Sequence, residues 1–76
     1  MYTYPAAFER NADGSYTITF PDLPGCISEG KDYFDAVRMA EDALKNWLQC
    51  LRDEGEDFPA PSLENLRGKF LCTIQL

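Results

Sequence analysis

The chain has 76 residues, 45% hydrophobic, 13% aromatic and 26% charged, which fits one small domain and excludes a two-domain enzyme. That apolar content is too high for disorder, and no stretch approaches the ~18 apolar residues of a membrane span. Seven Lys and Arg against 13 Asp and Glu give a net charge of −6, with the basic residues scattered singly, so the clustered cations of a nucleic-acid binder are missing.

Tyr2 to Glu9 alternates, with Tyr4, Ala6 and Phe8 facing one way and Thr3, Ala7 and Glu9 the other. A period of two predicts a strand with one buried face. Asn11-Ala12-Asp13-Gly14 follows, and Asp-Gly between alternating runs signals a hairpin. Ser15 to Phe20 predicts the second strand, with Tyr16, Ile18 and Phe20 on one face and Thr17 and Thr19 on the other. Pro21 and Pro24-Gly25 break the chain, and Cys26 to Gly30 resumes as a short third strand, completing an antiparallel meander.

A helix is predicted over Tyr33 to Asp53, with Asp32 as N-cap and Gly55 as C-cap. Advancing ~100° per residue gathers Ala36, Val37, Ala40, Ala43, Leu44, Trp47, Leu48, Cys50 and Leu51 on one stripe. The stripe is wider than packing on one sheet requires. It therefore reads either as a deeply seated core helix or as one whose margin around Trp47 and Cys50 meets another subunit. Phe58-Pro59-Ala60-Pro61-Ser62 reads as extended, and Leu63 to Arg67 as a short helical turn capped by Ser62. Lys69 to Leu76 alternates again as a fourth strand, with Phe70, Cys72, Ile74 and Leu76 on one side. The order βββαβ is an α+β arrangement, a mainly antiparallel sheet with one long helix across one face.

A chain this short buries only about 60% of its unfolded surface, so outside support is expected. Three cysteines cannot all pair within one chain, histidine is absent, and the Cys spacing forms no ligand pair. Disulfide and metal are therefore poor supports, which leaves homo-oligomerisation, with the third or fourth strand offering a free edge. The N-terminus carries no secretory signal, so reduced thiols and a cytoplasmic location are expected.

Parts for catalysis are missing. Without histidine, acid–base work falls to carboxylates, and only Glu9 and Glu29 lie in predicted strands, with Asp22 just after one. Two-metal nuclease chemistry needs several carboxylates converging from neighbouring elements. Cys50 and Cys72 sit on apolar faces and read as core residues, while Cys26 follows Pro-Gly at a strand start and reads as structural. The glycines are isolated and build no phosphate-binding loop. No catalytic residue, cofactor or metal ligand is assigned.

One succession of motifs is more specific. Tyr4-Pro5-Ala6-Ala7-Phe8, Asp13-Gly14-Ser15-Tyr16 and Phe20-Pro21-Asp22-Leu23-Pro24-Gly25-Cys26 lead through Glu29-Gly30 into a helix beginning at Asp35-Ala36, and Pro59-Ala60-Pro61-Ser62 follows. This succession, spanning essentially the whole chain, resembles the HicB-like antitoxin family. The resemblance implies a truncated ribonuclease-H-like βββαβ fold without nuclease activity. It also implies a partner, a small basic HicA-like ribonuclease toxin that cleaves mRNA, and assembly as a homodimer or homotetramer. Many family members add a C-terminal DNA-binding domain. This sequence shows none, so residues 1–76 read as a single HicB-like domain with no direct nucleic-acid or membrane contact.

Within that reading Pro21, Asp22, Leu23, Pro24, Gly25, Cys26, Gly30, Pro59 and Pro61 are structural motif residues. Asp22, Glu29 and Asp32 near one end, with Glu41 and Asp42 on the helix, form the acidic rim expected to contact a basic protein. Two alternatives from other classes stand beside the antitoxin: a homo-oligomeric accessory module without a toxin, and a ribonuclease-H-like nuclease using Glu9 or Asp22.

Overall fold

The computed structural model describes residues 1–64 and 66–76. Four strands and one helix follow the predicted order: β1 Tyr2–Arg10, β2 Tyr16–Thr19, β3 Ile27–Gly30, α1 Tyr33–Asp53 and β4 Lys69–Ile74. They form one antiparallel sheet in the order β3-β2-β1-β4, so β3 and β4 are its edges.

The strands are shorter than the alternation implied at several ends. Ser15, Phe20, Cys26, Gln75 and Leu76 fall outside them. Phe20 and Cys26 instead close the β2–β3 loop, where the Phe20 N–H donates to the Cys26 carbonyl at 3.3 Å. β1 is one residue longer than expected. Its lower half tolerates Pro5 because β2 pairs only with Ala7 to Arg10, leaving Tyr2 to Ala6 to pair with β4 alone.

Register fixes the faces. Tyr4, Ala6, Ile18, Gly30, Cys72 and Ile74 are buried on the helix side. The helix seats Ala36, Ala40, Leu44 and Leu48 on them, all fully buried. Burying one such leucine contributes roughly 1.5–3 kcal/mol. The approach is closest at Gly30, where an added Cβ would lie 2.3 Å from the Ala36 Cα. Only a residue without a Cβ at position 30 permits this contact.

Both helix ends are closed by specific bonds. The Asp32 carboxylate accepts from the Asp35 N–H at 2.8 Å, and the Asp35 carboxylate accepts from the Lys31 N–H at 3.0 Å. At the other end the C-cap is Glu54 rather than Gly55. Gly55 sits one residue beyond it at φ +70°, and the Glu56 N–H reaches back to the Leu51 carbonyl at 2.9 Å. Only a residue at ease in the left-handed region allows that return.

Two other expectations are corrected. Cys50 is exposed rather than in the core, because it lies on the margin of a stripe whose buried line runs through Ala36, Ala40, Leu44 and Leu48. Cys72 is buried as expected. The helical turn expected over Leu63 to Arg67 includes residue 65, which lies outside the described residues. No helix is formed by the described residues around it, and the Ser62 hydroxyl bonds to Asp22 instead of capping it.

Candidate interaction surfaces

Asp22 sits in the β2–β3 loop, which turns on hydrogen bonds from the Leu23 N–H to the Phe20 carbonyl and from the Cys26 N–H to the Leu23 carbonyl, each 2.9 Å. Gly25 takes φ +96° there, so Leu23 can fold inward to near-complete burial. The Asp22 carboxylate accepts from the Ser62 N–H at 2.9 Å and from the Ser62 hydroxyl at 2.6 Å. The chain returning from α1 is held twice more, by the Tyr4 hydroxyl donating to the Pro59 carbonyl and by Phe58 meeting Tyr2 edge-to-face at 5.1 Å. Burial, with the nearby Asp22 charge, pushes the Tyr4 phenol up from its ordinary value and keeps it a donor.

The acidic residues read as a rim do not fall on one patch. Asp22 is at the β2–β3 loop and Asp32 beyond the opposite end of β3, so the two are not neighbours at one end. Glu29 lies on the sheet face opposite the helix, since its neighbour Gly30 is the residue under Ala36. Glu41 and Asp42 are exposed on α1. Asp22 and Asp32 both spend carboxylate oxygens on backbone N–H groups, which leaves Glu29, Glu41 and Asp42 as the carboxylates of the set without a hydrogen bond among the described residues.

Trp47 is half-buried and its ring lies against Gly25, where an added Cβ would approach it to 3.2 Å. Together with Ile27, Ala43, Asn46 and Cys50 it lines a shallow groove of about 290 Å³ between α1 and β3. Burial pushes the Cys26 thiol up to about 11, and it donates weakly to the Ala43 carbonyl at 3.8 Å. The Cys72 thiol is pushed up to about 12, by burial first and then by the Glu41 and Cys26 charges. Neither is a nucleophile near neutral pH.

Ionisable side chains also converge at the Ser62 clasp, where Asp22, Glu64 and Lys69 line a cleft with Pro5, Pro21 and Leu66. Among the described residues no cluster of His, Cys, Asp or Glu has the arrangement of a metal site, and no charged or polar side chain is buried. Nor is any helix long and apolar enough to cross a membrane. Sequence reasoning missed Ser62 and Tyr4 as binding partners within the chain, because their acceptors are remote in sequence.

Residues 4–69 match the family model described as the HicB-like antitoxin of a bacterial toxin–antitoxin system. The chain belongs to the HicB-like antitoxin family. Among its relatives is antitoxin HicB 1 of Photorhabdus laumondii, 33% identical over 76% of this chain. That stretch is 37% of the relative's own length, so this chain corresponds to a part of the longer antitoxin. The fold overlays the crystal structure of the N-terminal domain of Burkholderia pseudomallei antitoxin HicB with a TM-score of 0.81. The two are 26% identical, and the match covers 99% of this chain and 100% of that one. A chain of the HicA3 and HicB3 toxin–antitoxin complex matches with a TM-score of 0.68 at 26% identity, over 92% of each chain. This chain thus shares its fold with the N-terminal domain of that HicB antitoxin.

Proposed function

We propose that this chain is an antitoxin that binds a small basic HicA-like mRNA-cleaving ribonuclease and covers its active surface, without catalytic activity of its own. The observation that carries the reading is family membership across residues 4–69, joined to a fold matching a chain of a HicA–HicB complex. Charge supports it. A surface with net −6 draws a basic protein by long-range attraction, raising the rate of encounter and disfavouring acidic competitors. The free carboxylates Glu29, Glu41 and Asp42 are the residues of the set available for such contacts. The protein acts in the cytoplasm, where its three thiols stay reduced, and it works as a homodimer or homotetramer.

Co-expression tests the reading. With a HicA-like toxin, the protein should restore growth and co-purify as a complex that weakens as salt rises. Neither growth rescue nor a complex would contradict it and favour the accessory-module alternative. Metal-dependent RNA cleavage by the pure protein, lost on substituting Glu9 or Asp22, would contradict the non-catalytic part.

A further inference from the structure

The two edges of the sheet differ in kind. β3 has only four residues, carries the exposed Glu29, and follows Pro24 closely. The next N–H beyond it, that of Lys31, is already taken by the Asp35 carboxylate. Short length, an outward charge and a nearby proline are the devices that keep an edge from pairing. β4 carries only one such feature, the charge of Lys69 at its first position. It is six residues long, and from Phe70 to Leu76 the chain has neither charge nor proline. Among the described residues its backbone bonds only to β1 and, through the Lys69 N–H, to the Leu66 carbonyl at 2.9 Å.

We infer that β4 is the edge through which two copies of this chain pair, antiparallel, into one continuous eight-stranded sheet. A strand set antiparallel to itself satisfies a two-fold axis, so each copy offers the same surface. Charge distribution selects this edge. Two chains of net −6 repel least where carboxylates are absent from the seam, and β4 with the β1 segment beside it, Tyr2 to Ala7, holds a single charged side chain, that of Lys69. Leu71 projects from the helix-free face, is 45% exposed and pairs with Pro5. Across the axis it gains an apolar neighbour from the second copy. Pairing also supplies the support that so short a chain needs.

The inference rests on the self-association part of the proposed function and not on toxin binding, so it is tested on the full chain alone. Sedimentation equilibrium should give twice the chain mass, and Leu71→Lys should shift the protein to monomer while its helical circular dichroism is kept. Ile27→Lys, on the guarded edge, should remain dimeric. Amide hydrogen exchange in the unmodified protein gives a reading independent of whether the variants fold: β4 amides should lose protection on dilution while β3 amides do not. A wild-type monomer at all concentrations would overturn the inference. So would a folded Leu71→Lys dimer, or dilution-dependent protection confined to β3.

Discussion

Asp22 and Ser62, forty residues apart, are joined at both a backbone N–H and a hydroxyl: one carboxylate accepts 2.9 Å and 2.6 Å hydrogen bonds from the same serine. The two most recognisable stretches of the sequence, Phe-Pro-Asp-Leu-Pro-Gly-Cys and Pro-Ala-Pro-Ser, are thereby the two halves of one clasp. It fixes the path by which the chain leaves α1 and reaches β4, and so helps to set the strand proposed to join two copies.

Removing the clasp should cost stability without altering the core. Asp22→Ala is expected to lower the unfolding free energy by about 1–2 kcal/mol, reading the bonds as charge-assisted but partly solvent-exposed. Ser62→Ala should cost less, because the backbone N–H of residue 62 still donates. Urea denaturation measures both, and an Asp22→Ala midpoint equal to wild type would refute the clasp's role.

Gly30→Ala should be far more damaging than its chemistry suggests. The new methyl would meet backbone atoms of Ala36, its N at 2.4 Å and Cα at 2.3 Å, and a helix backbone cannot rotate aside as a side chain can. A loss of roughly 3 kcal/mol is expected, in the upper range for overpacking. Thermal unfolding checks it, with Gly55→Ala as a comparison where strain comes only from φ +70° and no atom lies within 4 Å.

How much of this was legible in the sequence differs from element to element. The helix bounds and the Asp32 cap were readable because capping and a 3.6-residue apolar period are local signals. The two edge strands were also deducible from the order of elements. Cys50 was misread because periodicity gives the width of a stripe but not its centre, which is set by the Ala36–Gly30 approach. Ser62 was misread because a serine before Leu-Glu resembles a helix cap. Its actual partner comes from a loop forty residues away, which no local pattern encodes. The acidic residues looked like one rim in sequence, but strand alternation and the β2–β3 reversal distribute them over different surfaces.

Acid should weaken the helix start in a way traceable to one side chain. The Lys31 N–H, and then Arg38 at 2.5 Å, hold the Asp35 carboxyl below its ordinary value. A depressed folded pKa gives stability that is complete above the unfolded value, about 4, and is lost as pH falls through the lower folded value. Asp35→Asn should therefore narrow the fall in melting temperature between neutral and strongly acid solution. Asp13, held low by its bonds from Ser15, contributes with the same sign and remains in that variant. An unchanged pH profile in Asp35→Asn would contradict the assignment.

The three thiols should separate by reactivity. Cys50 is exposed, whereas burial pushes Cys26 to about 11 and Cys72 to about 12. Iodoacetamide at mildly alkaline pH should alkylate Cys50 alone in the native protein and all three in denaturant, as read by peptide mass spectrometry. Fast native labelling of Cys72 would show that β4 does not stay docked under α1.

The most direct test of the antitoxin reading is RNA cleavage by a purified HicA-like toxin, followed as this protein is added. Cleavage should fall steadily and cease once the protein matches the toxin in amount, with higher salt shifting the curve toward more protein. Undiminished cleavage at a large excess of folded protein would contradict it.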